Sequence, residues 1–521
     1  MIFDFYFQWL IFPILNKFNF KFLFLTLIFF SSTQFSFAQK NKQVEIIQAS
    51  SLEGSKINGI EVRRLVGDVI FKQDNTLMYC DSALFYEITN SIDAYGHIRV
   101  EGPDAKLSGE TLHYDGNSKT SRVEKNVRLT DGKMVLTTEA MNYDLANQIA
   151  DYSTGGKVVD NDNVLTSQRG YYYSKQKIVF FKDNVVLTNP KYVMKSDTLK
   201  YNTSTSTSFF FGPSTIQSTG KDSAFIYCEN GWYNTKTEKS YFSKNAYIQT
   251  RENVLQGDSI LYDRKEGIGK AFKNVMVTDT TQKVIINGDY AYVNEKTNRS
   301  LVTGKTMLTK IFDTDSMYLH ADTLYAINNT ISKQKTYFAY NHVRIFKTDL
   351  QGKCDSLVYS STDSTIYFYT NPVLWSNQNQ LTADSISLIL SESKIHAMEL
   401  RVNSFIASLE DSVRYNQIRG KNMTGYFNNN ELYKINVNGN GQTIYYIRND
   451  KKQLSGVNRA ECSDMLIFLN ESKVQRISLL TQPDATLYPV KELNPLELRL
   501  KGFSWLKSLQ PTSKQDIFIW R

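Results

Sequence analysis

The feature of this sequence that most limits its fold is an eight-residue segment that returns at a nearly constant interval. MKSDTLKY at 194–201 is one copy, and LTTEAMNY, LSGETLHY and LQGDSILY are others. The acidic position of this motif recurs in steps of 29 to 33 residues, at Asp81, Glu110, Glu139, Gln168, Asp197, Glu229, Asp258, Asp289, Asp322, Asp355 and Asp384. A period of this length marks an array of stacked units, because one such unit is too small to bury its apolar face alone.

A second motif, of alternating apolar residues, precedes the acidic position. Its copies include Asn126-Val127-Arg128-Leu129, Asn184-Val185-Val186-Leu187, Asn274-Val275-Met276-Val277 and His342-Val343-Arg344-Ile345. This alternation is typical of a strand with one buried face. Proline is scarce and absent between Ser214 and Asn371, which favours uninterrupted strand ladders. The pattern predicts an elongated all-β array of about a dozen stacked units, each made of several short strands and turns.

The repeated acid has a structural interpretation and a catalytic one. Asp, Glu, Ser and Thr commonly accept backbone N–H bonds at turns, so we expect each acid to cap a turn rather than to act in catalysis. His342 stands where other copies have Asn, so it is expected to be structural as well.

The chain divides into three parts. Lys17 and Lys21 precede the apolar run FLFLTLIFF, and Ser36-Phe37-Ala38 resembles a cleavage site, so residues 1–38 are predicted to be a secretory signal peptide. The repeats then occupy residues 39–480, and an irregular tail occupies 481–521. We expect this tail to cap the C-terminal end of the array, although it could instead dock a partner or a membrane surface.

The four cysteines are Cys80, Cys228, Cys354 and Cys462, and the first three occupy the same position in different units. Five units of at least one strand spacing each separate Cys80 from Cys228 by roughly 24 Å or more. A disulfide requires Cα atoms within about 7 Å. All four are therefore predicted to be free, buried thiols.

No motif points to an enzyme, a metal site or a cofactor. The five histidines lack metal-ligand spacing, and there is no Cys-x-x-Cys pair, nucleophile elbow, P-loop or dinucleotide fingerprint. Asp160-Asn161-Asp162-Asn163 could gather calcium oxygens but lacks the glycine-rich repeat of calcium-binding β-rolls. The net charge of +8 comes from interspersed acids and bases, unlike the dense basic patch of a nucleic-acid-binding protein.

Gly67-Asp68-Val69-Ile70-Phe71, followed by Cys80-Asp81-Ser82-Ala83-Leu84-Phe85-Tyr86, resembles the OstA-like (organic solvent tolerance) family of lipopolysaccharide transport. Similar copies extend the resemblance over about residues 44–470. The resemblance implies a β-jelly-roll, or β-taco, whose groove carries the acyl chains of lipid A. It also implies a periplasmic or outer-membrane-associated protein that binds lipopolysaccharide. The exposed strand edges expected at both ends of a stacked array could accept other transport proteins by strand addition.

We therefore expect a non-catalytic lipopolysaccharide carrier without a cofactor, metal ion or nucleic-acid partner. The groove candidates are the alternating apolar residues Val127, Leu129, Val185, Leu187, Val275, Val277, Val343 and Ile345. The same alternation is also what a packed core requires. Two alternatives remain at this point, a parallel β-helix enzyme acting on polysaccharide and a structural or adhesive surface solenoid.

Overall fold

The computed structural model describes residues 43–220, 224–251, 253–313, 315–329, 331–332, 334–391, 394–428, 431–470, 473–489 and 498–521. The signal peptide expected at 1–38 lies outside these ranges. The described residues form 36 strands and two single 3-10 turns, at Lys507–Leu509 and Asp516–Phe518. Among the described residues, no helix is long and apolar enough to span a bilayer.

The strands follow one another with short turns between them. The first eighteen are β1 (Glu45–Gln48), β2 (Ser51–Ile57), β3 (Ile60–Gln73), β4 (Thr76–Tyr86), β5 (Ser91–Glu101), β6 (Lys106–Asp115), β7 (Thr120–Thr130), β8 (Met134–Asp144), β9 (Ile149–Tyr152), β10 (Gly156–Asp160), β11 (Asn163–Ser167), β12 (Arg169–Tyr173), β13 (Ile178–Asn189), β14 (Tyr192–Asn202), β15 (Thr207–Ser218), β16 (Phe225–Asn234), β17 (Lys239–Gln249) and β18 (Asn253–Asp263). The others are β19 (Ile268–Asp279), β20 (Val284–Asn294), β21 (Arg299–Ile311), β22 (Ser316–Asn329), β23 (Gln334–Tyr340), β24 (Val343–Lys347), β25 (Leu350–Cys354), β26 (Ser356–Ser360), β27 (Thr365–Tyr369), β28 (Val373–Ser376), β29 (Asn379–Thr382), β30 (Ser385–Ser391), β31 (Lys394–Leu409), β32 (Tyr415–Asn428), β33 (Glu431–Arg448), β34 (Leu454–Asn470), β35 (Lys473–Leu480) and β36 (Asp484–Tyr488).

The strands form one long antiparallel meander. Over much of the chain each strand pairs with the next one in sequence, as β13 pairs with β14 and β14 with β15. Every pairing among the described strands is antiparallel, so the fold is not the parallel β-helix that one of the alternatives required. A repeat of 29 residues therefore contains two long strands and their two turns, rather than several short strands.

Each long strand pair is interrupted at its middle by a β-bulge. In β7 and β8 the register shifts between Glu124 and Val127, where Lys125 and Asn126 both have positive φ, at 63° and 54°. Asn accepts this left-handed conformation more readily than most residues, which explains why it begins the second motif. A bulge bends its strand. Because the bulges stack from repeat to repeat, the whole sheet folds along one crease into the β-taco.

The repeated acid lies at this crease and not at a turn, which corrects the expectation from the sequence. In six repeats its carboxylate accepts a hydrogen bond from an Asn or His sixteen to twenty residues later, within the bulge of the next strand. The distances are 2.7 Å for Glu229–Asn245, 3.0 Å for Asp258–Asn274, 2.7 Å for Asp81–His97 and 2.8 Å for Asp322–His342. The acid thus fixes the side chain that holds the bulge, and His342 has the structural role expected for it.

The crease divides the sheet into two arms that face each other. The first arm contains the strand halves whose turns lie near residues 74, 132, 190 and 250, and the second arm contains those whose turns lie near 88, 117, 176 and 236. Alternate side chains of both arms point into the space between them and form two large clusters, over residues 44–302 and 319–467. All four cysteines lie in this interior, buried and free, as predicted.

The segment 498–521, here called the strap, lies along the outer face of the first arm. Gln417 donates to the Leu498 carbonyl, Gln380 to that of Ser504, and Arg344 to that of Leu509, at 2.8 to 2.9 Å. The strap therefore runs back from β32 towards β24, and it is not the end cap that was expected. Strand β36 also pairs with β34, so the sheet continues past residue 480.

An open trough between the two arms

A continuous row of apolar side chains, aliphatic except for Phe71 at its first position, lines the inner face of the first arm and is here called the aliphatic row. Its members are cross-strand neighbours from β3 to β24: Phe71, Met78, Val100, Leu107, Leu129, Leu136, Val158, Leu165, Leu187, Met194, Ile216, Ile226, Ile248, Leu255, Val277, Ile286, Leu308, Leu319 and Ile345. Strand alternation puts one such residue on every first-arm strand between β3 and β24, so the row is one uninterrupted apolar surface.

All eight residues proposed from the sequence face this interior. Leu129, Leu187, Val277 and Ile345 belong to the aliphatic row, while Val127, Val185, Val275 and Val343 lie one inward position closer to the crease. Seven of them are buried, and Val277 is partly buried against the core. The sequence therefore predicts correctly which alternate residues of these strands face the interior. Burial is required both of a lipid groove and of a packed core.

The long edge opposite the crease, where the free ends of the two arms meet, is here called the mouth. In the N-terminal half the mouth is closed by polar contacts between the two arms, here called the clasps. Lys119 pairs with Asp74 at 2.6 Å, and Tyr172 donates to Asp131 at 2.8 Å. The other clasps are Tyr114–Gln73, Lys177–Asp131, Tyr201–Asp160 at 2.7 Å and Lys191–Glu238. Each joins a turn or strand end of the first arm to the second arm.

Three of the clasps use tyrosines that belong to a regular series. Tyr114, Tyr143, Tyr172, Tyr201, Tyr233 and Tyr262 each stand four residues after the repeated acid or its glutamine equivalent. The strands between them carry small side chains at the facing positions, such as Ser121 and Ser208, so the rings have room to cross the interior. Burial raises the pKa of Tyr172 and Tyr201, and a neighbouring carboxylate raises it further, so both hydroxyls stay neutral and donate.

Asp131 shows how a clasp remains charged under a closed mouth. Burial by itself raises the pKa of this carboxyl group. Hydrogen bonds from the backbone N–H groups of Met134 and Lys133 and from Tyr172, together with the Lys177 charge, outweigh burial and lower the pKa below its usual value. The carboxylate is only 1% exposed, yet it is satisfied from several directions.

The taco opens between β16 and β21. Here the members of the aliphatic row are only partly buried, at Ile226, Ile248, Leu255, Val277, Ile286 and Leu308. Residues beside the crease stay covered, as for Ile260, Ala271 and Val275. Exposure therefore rises from the crease towards the mouth, which is the signature of a trough and not of a frayed sheet.

The second arm explains why the trough is open in this segment. After Tyr262 the tyrosine series is interrupted, and the equivalent inward positions carry Gly269, Val293, Ser300 and Ala326, which are direct cross-strand neighbours. Tyrosine returns to this row only with Tyr337 and Tyr359, beyond the open segment. A Cβ added to Gly269 would meet only Tyr262, at 3.7 Å. Small side chains leave unfilled space opposite the aliphatic row.

The dimensions and chemistry of the trough suit an acyl chain. Six strands at about 4.8 Å spacing give an open length of roughly 24 Å. One lipid chain spans about half of a 30 Å bilayer core, or roughly 15 Å. Ion pairs on the rims join turns of the same arm, with Lys296 on Glu266 at 2.9 Å and Lys283 on Asp313 at 3.4 Å. These rims are polar, charged and exposed.

Within the described ranges no three His, Cys, Asp or Glu side chains are grouped to hold a metal ion. The partly buried aliphatic row and the charged turns beside it form an apolar trough with polar rims, and the molecule belongs to the class of β-taco proteins whose interior is a groove. Sequence reasoning missed the difference between the closed and the open half. The signal was present, since the residue four positions after the acid changes from Tyr to Val293 and Ala326.

Comparison with known families identifies the chain. Residues 41–197 match the model of the OstA-like protein family, and residues 285–394 match the model described as LptA/(LptD N-terminal domain) LPS transport protein. Together the two matches cover just over half of the chain. The chain is an OstA-like protein, as its repeated motif indicated.

One solved structure with similarity to the chain is that of LptH, the LptA homologous periplasmic component of the lipopolysaccharide transport device from Pseudomonas aeruginosa. The match has 17% sequence identity and a TM-score of 0.20, and covers 21% of this chain and 81% of that one. At this score the likeness carries no argument about function. The search of curated proteins gave no match.

Proposed function

We propose that this protein binds lipopolysaccharide through its acyl chains and moves it across the periplasm to the outer membrane, without a covalent step. The observation that carries the proposal is the open segment of the aliphatic row, from Ile226 to Leu308. The match of residues 285–394 to an LPS transport family supports the choice of ligand.

Binding would be driven by removing acyl chains from water. Each buried methylene contributes about 0.8 kcal/mol, so even a partly covered chain of several methylenes supplies most of a micromolar affinity. The rims would leave the polar head group in solvent. Because the remainder of the row is continuous with the open segment, the same surface provides a path along the array once the clasps separate.

The ends of the array would provide contacts to other transport proteins by strand addition. At the N-terminal end β2 pairs with β3 on one side only, and all seven of its residues are exposed. At the C-terminal end β35 and β36 both pair with β34. Exposed strand edges offer unpaired backbone groups to a further β-strand.

A titration of the purified protein tests the proposal. Intact lipopolysaccharide and its deacylated glycan are compared at about 0.1 M and about 0.5 M salt. Because apolar burial is not screened whereas exposed charge contacts are, the intact lipid should bind nearly as tightly at high salt. The deacylated glycan should bind at least about 100-fold more weakly, the equivalent of a few buried methylenes.

Two results would overturn the proposal. Equal affinity for the deacylated glycan would point to a polysaccharide-binding protein without a lipid groove. Loss of lipid binding at 0.5 M salt would show that surface charge, and not the trough, holds the ligand.

A further inference from the structure

A second row of side chains, on the outer face of the second arm, stands apart from the trough. Between β12 and β27 this row is almost entirely aromatic or aliphatic, and it is here called the outer ladder. Its cross-strand neighbours are Tyr171, Phe180, Lys200, Phe209, Trp232, Tyr241, Leu261, Lys270, Tyr292, Leu301, Tyr325, Phe338, Val358 and Tyr367.

The outer ladder has defined ends. On the N-terminal side the same row continues as Arg64, Leu84, Asp93, His113, Arg122, Asn142 and Asp151. On the C-terminal side it continues as Ser387, Glu399, Thr424 and Asn436. Both continuations form equally regular sheet without Phe, Tyr or Trp. The aromatic residues are therefore not needed to build this face, and their restriction to one segment calls for another explanation.

The side chains of the outer ladder remain accessible. Tyr171 and Leu261 are exposed at 36% and 39%, and the other members are half-buried. Lys200 lies over the rings of Phe180 and Phe209, at 5.8 and 5.2 Å. The only charged members are Lys200 and Lys270, and the ladder contains no acid. The stretch thus offers flat rings and positive charge.

The length and twist of the outer ladder limit what can cover it. Thirteen steps of about 4.8 Å give roughly 62 Å. Adjacent strands rotate by about 20° on average, so the ladder winds through roughly 260°. A flat membrane or a rigid globular partner could touch only a few strands, whereas a flexible linear polymer can follow the whole winding path.

The chemistry of the outer ladder selects among linear polymers. An extended peptide gains most from a free strand edge or from side-chain pockets, and the middle of a fully paired sheet face offers neither. Sugar rings present a flat face of C–H bonds to the negative face of an aromatic ring, and Tyr hydroxyls at the ring edge can bond to sugar hydroxyls. Two lysines without an acid favour a glycan that carries carboxylate or phosphate groups.

The ladder is also close to the mouth of the trough. Leu261 precedes the turn at Arg264 by three residues, and Tyr292 precedes the turn at Glu295 by three. At about 3.3 Å per residue the ladder lies roughly 10 Å below the rim of the second arm. A chain that leaves the mouth can reach it by crossing this rim.

We infer that the outer ladder holds the anionic glycan of the same amphiphile whose acyl chains occupy the trough. This inference rests on the proposed function for the source of the glycan, and on the ladder alone for the site. The protein thus contacts both ends of its ligand. The acyl chains lie in the trough between the two arms, and the polysaccharide lies on the outer face of the second arm.

The test compares two acylated ligands, lipopolysaccharide with its long polysaccharide and lipopolysaccharide with the polysaccharide truncated. The wild-type protein should bind the long form at least about tenfold more tightly, since a ring stacked on an aromatic platform contributes measurably at each position. The triple variant Tyr292→Ser, Tyr325→Ser, Phe338→Ser should bind both forms equally, with the affinity of the wild type for the truncated form.

A matched control changes the same row outside the ladder, with Arg64→Ser, His113→Ser and Arg122→Ser. This variant should keep the tenfold preference. A preference retained by the ladder variant, or absent from the wild type, would overturn the inference, provided that both proteins keep the wild-type circular dichroism spectrum.

Fluorescence of Trp232 gives a reading that does not depend on lipid. Free polysaccharide at millimolar concentration should quench it, and Trp232→Phe should remove the response. An acidic polypeptide or a single-stranded oligonucleotide that quenches as strongly would overturn the assignment to a glycan. If the truncated lipid fails to bind the wild-type protein while free polysaccharide still quenches Trp232, the proposed function fails and the ladder is supported as a glycan site.

Discussion

Val293→Tyr tests directly whether the small residues of the second arm keep the trough open. Val293 stands at the position that carries Tyr172 and Tyr201 in the closed half, four residues after the repeated acid. Its cross-strand neighbours on the inner face are Gly269 and Ser300, so a tyrosine ring would enter the trough without a clash in the sheet. We expect the variant to fold as well as the wild type and to bind lipopolysaccharide poorly.

The magnitude follows from the length of chain that the ring would displace. A ring that fills one strand spacing, about 4.8 Å, excludes about four methylenes of one acyl chain. At about 0.8 kcal/mol each, the loss is about 3 kcal/mol, or roughly 150-fold in affinity. The assay is a titration with a fluorescent lipopolysaccharide, together with a thermal melt that checks folding.

Val293→Ala is the matched control, because it keeps the trough empty. It should bind within about threefold of the wild type. If Val293→Tyr kept its wild-type melting temperature and bound lipid with unchanged affinity, the acyl chains would not lie in this segment, and the explanation of the open trough by small side chains would be wrong.

Three further predictions concern the closed half and the core. Burial raises the pKa of the Cys80 and Cys354 thiols to about 12, so a thiol reagent should label the native protein slowly. After denaturation without reductant the reagent should count four thiols. A count of two or zero would show that a disulfide had formed. Val185→Asp places an unpartnered carboxylate in the closed core, so it should destabilise the fold by about several kcal/mol and strongly reduce lipid transfer. Arg128→Ala, on the exposed face, should change little. Equal stability of the two variants would contradict the assignment of alternate residues to the interior and the exterior. The pKa of Asp131 is lowered in the folded protein, so its contribution to stability is complete above about pH 4 and is lost as the pH falls through the pKa of the folded state. An Asp131→Asn variant should therefore lose less unfolding free energy than the wild type during an acid titration. If both proteins lost unfolding free energy equally with falling pH, the Asp131 clasp would not be a source of the acid sensitivity.

The sequence was sufficient for the array and the strand phase, but not for the shape of the interior. The 29-residue period and the apolar alternation around Val185 depend on local geometry, which a sequence pattern reports directly. The sequence does not distinguish the crease from a turn as the place of the repeated acid, because a carboxylate beside Ser or Thr has the same appearance at a turn and at a bulge. Only the pairing register shows that Asp258 bonds to Asn274 across the crease.

The open trough and the outer ladder depend on which residues become neighbours across many strands. Gly269 and Ser300 are ordinary small residues until they are seen on either side of Val293. The strap could not be anticipated for a similar reason. Its contacts link Arg344 to residues more than 160 positions later, and no periodic signal encodes such a contact.

The strap changes how the molecule should unfold. In a stack where each unit contacts only its neighbours, local opening can begin anywhere and spread one unit at a time. Through Gln417, Gln380 and Arg344 the strap ties units from β32 back to β24, so opening any of them breaks contacts shared by all. The C-terminal half is thereby made into one cooperative block beside a more divisible N-terminal half.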